Sequence, residues 1–349
     1  MVHRPGTRRG RRTLGAEVSE KAAIGKILVT ARSFRKVPGP HQQLLKDAGY
    51  ELLESPHDRP LEPGELASLL PGVDGVILGV DAVPAAVLEH ADRLKVLSRC
   101  GVGVDGIDLQ AATARGIVVT TTPGANSLAV AELTIALMLA LLRHIPHHDM
   151  VVRQGGWERR MGSELAGSTL GLVGLGRIGR EVARRAHVFD MRLLFADPDP
   201  PPEEAVRSLG ADPRDLPSLL SESDIVSLHL PLNGQTQGII GVRELECMKV
   251  SGILVNTSRG GLVDEQALYA ALSQGRLAGA ACDVFSEEPP RRSPLLKLDN
   301  FIATPHIGSN TLQTALRMGL MASRNALTVL EGGRPEHVAN PEVYAAKND

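Results

Sequence analysis

The sequence predicts an α/β protein made of two doubly wound parallel sheets, one unit inserted into the other. Three observations point there. Short apolar runs alternate with helical patterns along most of the 349 residues, which is the rhythm of βαβ units. A second, longer series of such runs interrupts the first. A long amphipathic pattern near the C-terminus then leads back to the unit in which the chain began.

The first series opens with KILVTA (26–31) as a strand and PHQQLLKDAGY (40–50) as a helix ending at Gly49. VDGVILG (73–79), RLKVLSRCG (93–101) and IVVTTTP (117–123) are further strands, with PAAVLEHA (84–91) a helix between the first two. A long apolar helix is expected over 129–143. The second series then supplies six strands: TLGLVG (169–174), RLLFAD (192–197), DIVSLHLP (224–231), GILVNTS (252–258), LAGAACDV (277–284) and FIATP (301–305). Such a set matches a doubly wound dinucleotide-binding sheet. Residues 310–333 form the returning helix, capped by Gly332. The chain ends soon afterwards, so no appended regulatory domain is expected.

Composition narrows the class. Hydrophobic content of 43% and charged content of 22% are those of an ordinary globular protein. The net charge of −2 gives no reason to expect nucleic acid as a partner. Residues 1–24 carry Arg4, Arg8, Arg9, Arg11, Arg12 and Lys21 against Glu17 and Glu20, and read as a disordered basic extension. No apolar stretch follows that would make it a secretory signal. The longest apolar run, AVAELTIALMLALL, is interrupted by Glu132 and reads as a buried helix, with no membrane partner. Cys100, Cys247 and Cys282 lack paired spacing, which suggests a reducing, cytoplasmic setting without disulfides or metal. His144, His147 and His148 surround Pro146 and read as a solvated helix end.

The stretch GLVGLGRIGREVARRA (171–186) carries Gly174, Gly176 and Gly179 as G-x-G-x-x-G between a strand and a helix. This context suits a dinucleotide pyrophosphate at a helix N-terminus. Eighteen residues later a strand ends in Asp197, whose carboxylate can accept ribose hydroxyls and repel a 2′-phosphate, favouring NAD. Three later strands end near chemically active groups: Arg259; Asp283 with Glu287 and Glu288; and His306. A guanidinium can hold a carboxylate in a fork. An imidazole oriented by a carboxylate can exchange a proton with a carbonyl or hydroxyl oxygen.

The motifs GLGRIG, HLPLN, NTSRGG, DVFSEEPP and TPHIGS, with Asp197, resemble the D-isomer-specific 2-hydroxyacid dehydrogenases, nearest to the 3-phosphoglycerate dehydrogenase branch. The resemblance runs from about residue 26 to 344. It implies two Rossmann-like domains: a discontinuous substrate domain (25–123 and 310–345) and an inserted NAD-binding domain (124–309), with an active site between them and a homodimer. It implies Arg259, Glu288 and His306 as the catalytic arginine, glutamate and histidine. Glu288 is preferred to Glu287 because the family's glutamate lies five residues after the aspartate, here Asp283. It implies NAD contacts from Arg177, Ile178, Asp197, Leu230, Thr257, Ser258, Asp283 and Gly308, with Arg259 and His306 also at the cofactor. In CGVGVDGID (100–108) the backbone of Val102 and Gly103 would face substrate carboxylate and nicotinamide.

Two departures stand out. Many relatives carry a basic residue where this chain reads LGVDAV (78–83), while ARSFRK offers Arg32, Arg35 and Lys36 instead. One or more of these, Arg35 and Lys36 foremost, are expected to bind an anionic substrate tail. Gly106 stands where relatives often have Asn. The substrate expected first is 3-phosphoglycerate, whose oxidation begins serine synthesis. The alternatives are reduction of hydroxypyruvate, glyoxylate or another 2-keto acid, including a phosphonate, and an NAD-sensing corepressor.

Overall fold

The computed structural model describes residues 23–347; the basic head falls outside the described residues up to residue 22. Five parallel strands form the first sheet: β1 (Gly25–Val29), β2 (Tyr50–Glu54), β3 (Gly75–Leu78), β4 (Val96–Arg99) and β5 (Val118–Thr120), in the order β2-β1-β3-β4-β5. Seven parallel strands form the second: β6 (Thr169–Val173), β7 (Arg192–Ala196), β8 (Ala211–Pro213), β9 (Ile225–Leu228), β10 (Ile253–Asn256), β11 (Gly279–Cys282) and β12 (Phe301–Ala303). Their order is β12-β11-β10-β9-β6-β7-β8. Each sheet reverses its winding direction beside its first strand, which leaves a crevice at the carboxyl ends.

Central strands are apolar on both faces because each face is covered. In β10, Ile253 and Val255 join one apolar cluster and Leu254 the opposite one. In β1, Ile27 and Val29 face one cluster and Leu28 another. The alternation is the two-residue period of a strand with two dry sides.

The helix Ser127–Leu142 leaves the first lobe and packs on the second sheet. The helix Leu312–Leu330 returns and packs against β3, β4 and β5. Polar bonds pin the return: Ser98 Oγ donates to the Ala322 carbonyl (2.8 Å), and Asn325 Nδ2 to that of Thr121 (3.0 Å). Farther on, Asn340 Oδ1 accepts from Val119 N (2.8 Å). Gly332, at φ +86°, follows the end of the returning helix.

Several local expectations need correcting. The helix Pro40–Asp47 stops before Gly49, and Tyr50 begins β2. β2 and β8 have no counterpart among the strands expected from the sequence. Both are edge strands; β2 carries Glu51 and Glu54, and β8 contains Pro213, so neither has the apolar signature of a buried strand. ARSFRK is a short helix, Arg32–Lys36, that buries Phe34. The histidine group lies at the end of the helix Ser127–Leu142, as expected, and also opens the next helix. His144 takes a left-handed conformation (φ 49°), and Pro146 lies in the first turn of Ile145–Arg153. No group of His, Cys, Asp and Glu among the described residues is arranged to hold a metal ion. No single helix among them is long and apolar enough to cross a membrane.

Candidate active site

The carboxyl ends of the two sheets face each other across a cleft of about 1270 Å³. Residues following β1, β3 and β4 line one wall, and residues following β9, β10, β11 and β12 line the other.

The glycine turn lies between β6 and the helix Arg177–Val188. Gly174 has φ +99° and passes so close to the end of β9 that a Cβ would stand 2.8 Å from the His229 carbonyl. Gly176 caps the helix, and a Cβ there would meet nothing within 4 Å. A space at the N-terminus of a twelve-residue helix is where a pyrophosphate fits. Asp197, directly after β7, accepts from Leu175 N (2.6 Å) and Asp199 N (2.9 Å). Arg177, Ile178 and Leu230 line the cleft.

The turn after β10 is held by Asn256, whose Oδ1 accepts from Ser258 N (3.0 Å) and whose Nδ2 donates to the Arg259 carbonyl (2.8 Å). Ser258 Oγ donates to the Leu230 carbonyl (2.6 Å), and Thr257 Oγ1 pairs with Thr134 Oγ1 (2.8 Å). Arg259 therefore leaves a fixed backbone and reaches into the cleft. Its Nη1 donates to the Ser258 carbonyl (2.7 Å) and its Nε to Asp105 Oδ2 (3.1 Å) on the opposite wall.

His306 Nδ1 pairs with Glu288 Oε2 at 2.8 Å. Glu288 Oε1 also accepts from Phe285 N (3.1 Å). Burial pushes the Glu288 carboxyl upward, but the His306 bond and charge, the Phe285 N–H and the Arg259 charge together hold it below the usual range. His306 sits at φ 53°, a conformation that costs a side-chain-bearing residue about 1–2 kcal/mol. Asp283, only 1% exposed, holds it there. Its carboxylate accepts from Thr304 Oγ1 (2.6 Å), Ile307 N (2.8 Å) and Gly308 N (2.8 Å).

Val102, Gly103, Ser258, Arg259, Glu288 and His306 thus meet at one cleft. Glu287, the rejected alternative, lines a separate surface hollow instead. Of the basic residues after β1, Arg32 and Lys36 line the cleft and Arg35 does not. The Arg35 guanidinium is taken by the carbonyls of Ser55 (3.0 Å) and His57 (2.8 Å). Three participants escaped the sequence reading. Asp105 and Asn256 bond the arginine side chain and its turn. Arg99 lies beneath the Val102 loop, donating to the carbonyls of Cys100 (2.7 Å) and Gly103 (3.2 Å). A polar residue ending an apolar strand was the available signal for Asn256 and Arg99.

Residues 135–308 match the family model described as D-isomer specific 2-hydroxyacid dehydrogenase, NAD binding domain. A glyoxylate reductase of Thermofilum pendens is 40% identical over 321 residues, covering 90% of this chain and 95% of that protein. The chain belongs to the D-isomer-specific 2-hydroxyacid dehydrogenases. A D-3-phosphoglycerate dehydrogenase of Methanocaldococcus jannaschii is 46% identical over 257 residues, 73% of this dehydrogenase and 49% of that protein. The chain therefore spans about half the length of that relative. Among solved structures, the TT0316 protein from Thermus thermophilus superposes with a TM-score of 0.81 at 40% identity, over 90% of this dehydrogenase and 99% of that chain. The part that matches the family model is described as its NAD binding domain. The open space at Gly176 and the acid at Asp197 suit that cofactor.

Proposed function

We propose that this dehydrogenase interconverts 3-phosphoglycerate and 3-phosphohydroxypyruvate, the oxidation that opens serine synthesis, using Arg259, Glu288 and His306. The imidazole–carboxylate pair at 2.8 Å, in the same cleft as a tethered guanidinium, carries the chemistry. With Nδ1 engaged by Glu288, His306 offers Nε2 to the substrate oxygen. It gives a proton to the keto oxygen on reduction and takes one from the hydroxyl on oxidation. Such transfer contributes typically about 10²–10⁴ in rate. Arg259 binds the substrate carboxylate, and the Val102–Gly103 backbone closes the other side of it. When bound, the nicotinamide supplies or accepts the hydride at C2.

The substrate tail rests on a separate observation. Arg32 and Lys36 line the same cleft, and the contacts that hold them are exposed. Arg32 donates to the Asp58 carbonyl (3.3 Å) and Lys36 pairs with the Asp58 carboxylate, both exposed. Exposed pairs are worth about 0–1 kcal/mol, so a phosphate dianion can displace them. A second reading, an uncharged tail as in hydroxypyruvate or glyoxylate, is favoured by Val80. This residue is 55% exposed and also lines the cleft, bringing an apolar surface to it.

Rates with 3-phosphohydroxypyruvate, hydroxypyruvate and glyoxylate, followed at the NADH absorbance, decide between the two. In the double variant Arg32→Ala/Lys36→Ala, loss of charge-assisted bonds should raise KM for the phosphorylated acid about tenfold or more. KM for glyoxylate should stay within about twofold, since one tenfold step is the smallest clear loss. Equal changes for both acids would remove the phosphate reading. The same proposal takes the protein to be a cytoplasmic homodimer; the exposed apolar side chains around Trp157 support the pairing.

A further inference from the structure

We infer that Asp105 is a positioning residue for the reaction: it reaches across the cleft to fix the Arg259 guanidinium so that one nitrogen, Nη2, is presented to the substrate. The inference rests on the proposal that Arg259 binds the substrate carboxylate. Arg259 follows β10 of the second sheet, and Asp105 lies in the loop after β4 of the first. They are 154 residues apart in sequence and joined at 3.1 Å.

A guanidinium has five N–H donors in a rigid plane. Here Nε is taken by Asp105 and Nη1 by the Ser258 carbonyl. Fixing two corners of a planar fork fixes the third. Nη2 has no hydrogen-bond partner among the described residues and lies over the Cα of Gly103, so close that any Cβ at Gly103 would collide with it. The free donor therefore sits beside the loop expected to cradle the substrate carboxylate.

Charge supports the same role. Arg99 lies beneath this loop, its guanidinium held below its usual range by burial first and by the Arg259 charge after that. Asp105 acts on it in the opposite sense, as Cys100 and Asp81 do. An isolated exposed ion pair would contribute little. This one differs because its partner is also held by a backbone carbonyl and wedged on a glycine. The bond also joins the two lobes, so Arg259 is aimed only when the walls of the cleft stand in this register.

Asp105→Ala and Asp105→Asn test the inference, with the best keto acid of the panel as substrate. Alanine should raise KM about tenfold, the scale of one lost charge-assisted bond. NADH affinity, read by fluorescence titration, and the thermal midpoint should stay near wild type. Asparagine keeps an acceptor for Nε and should recover part of the loss. Combining Asp105→Ala with Arg259→Lys, which lacks Nε, should add almost nothing to the Arg259→Lys defect. Wild-type KM in Asp105→Ala, or full additivity with Arg259→Lys, overturns the inference. Full activity of Arg259→Lys and Arg259→Ala alone would instead overturn the role given to Arg259.

Discussion

His306 is placed by two acids with separate tasks. Asp283, buried, bonds its own loop and holds the backbone in the left-handed conformation. Glu288, half-buried, bonds the ring itself. Glu288→Gln keeps an acceptor but removes the charge that supports imidazolium, so kcat should fall by about 10²-fold, the lower end of general acid–base contributions. Stability carries a pH signature. The folded Glu288 carboxyl lies below its ordinary value, so the unfolded chain binds a proton there before the folded one does. The contribution of the pair is fully present above the unfolded carboxylate pKa of about 4.3 and is lost as pH falls through the folded value. The thermal midpoint of wild type minus that of Glu288→Gln should shrink as pH falls below about 4, where the unfolded carboxylate protonates. A difference that grows as pH falls through that range would contradict the assignment. Arg259 and His306 stood out in the sequence because each follows an apolar strand, whereas Glu288 was told from Glu287 only by the family's spacing from Asp283. Asp105 did not stand out, because its partner lies on the other sheet.

Among the elements, strands with two buried faces announced themselves as apolar runs, whereas β2 and β8 hid at sheet edges behind Glu51, Glu54 and Pro213. The glycine turn was legible as a pattern, but its three glycines do different things. A Cβ on Gly179 would collide with the Gly174 carbonyl, within the packed junction of strand and helix. A Cβ on Gly176 would meet only open space. Gly179→Ala should therefore destabilise the protein by about 1–3 kcal/mol through overpacking and weaken NADH binding. Gly176→Ala should leave the thermal midpoint almost unchanged yet weaken NADH binding about tenfold or more, if the open space beside it is the one proposed for the pyrophosphate. Thermal denaturation and NADH fluorescence titration on both variants check this. Equal loss of stability in the two would show that Gly176 is a folding requirement and not a ligand approach.

At the scale of the whole molecule, the segment from 145 to 161 has exposed apolar side chains among the described residues. Trp157 is 80% exposed and Met161 95%, with Ile145 and Val152 also exposed nearby in sequence. The segment is not loose. His148 Nε2 accepts from Arg160 N (3.0 Å), His144 Nε2 pairs with the Met161 carbonyl (3.2 Å), and Ser163 N donates to the Leu142 carbonyl (3.0 Å). The histidines therefore have a structural use: they tie this arm to the helix Ile145–Arg153. A fixed arm presenting a tryptophan loses little entropy on association, and buried tryptophans dominate interface energies at about 2 kcal/mol or more each. A second copy of the chain is the proposed cover. Light scattering should give twice 37.2 kDa for the wild type and 37.2 kDa for Trp157→Glu/Met161→Glu. Two buried carboxylates without partners cannot be accommodated at such a surface. The variant should retain NADH binding, because the arm lies outside the cleft residues. A wild type that already scatters as one chain, or a variant that stays paired, would remove the arm as the dimer contact.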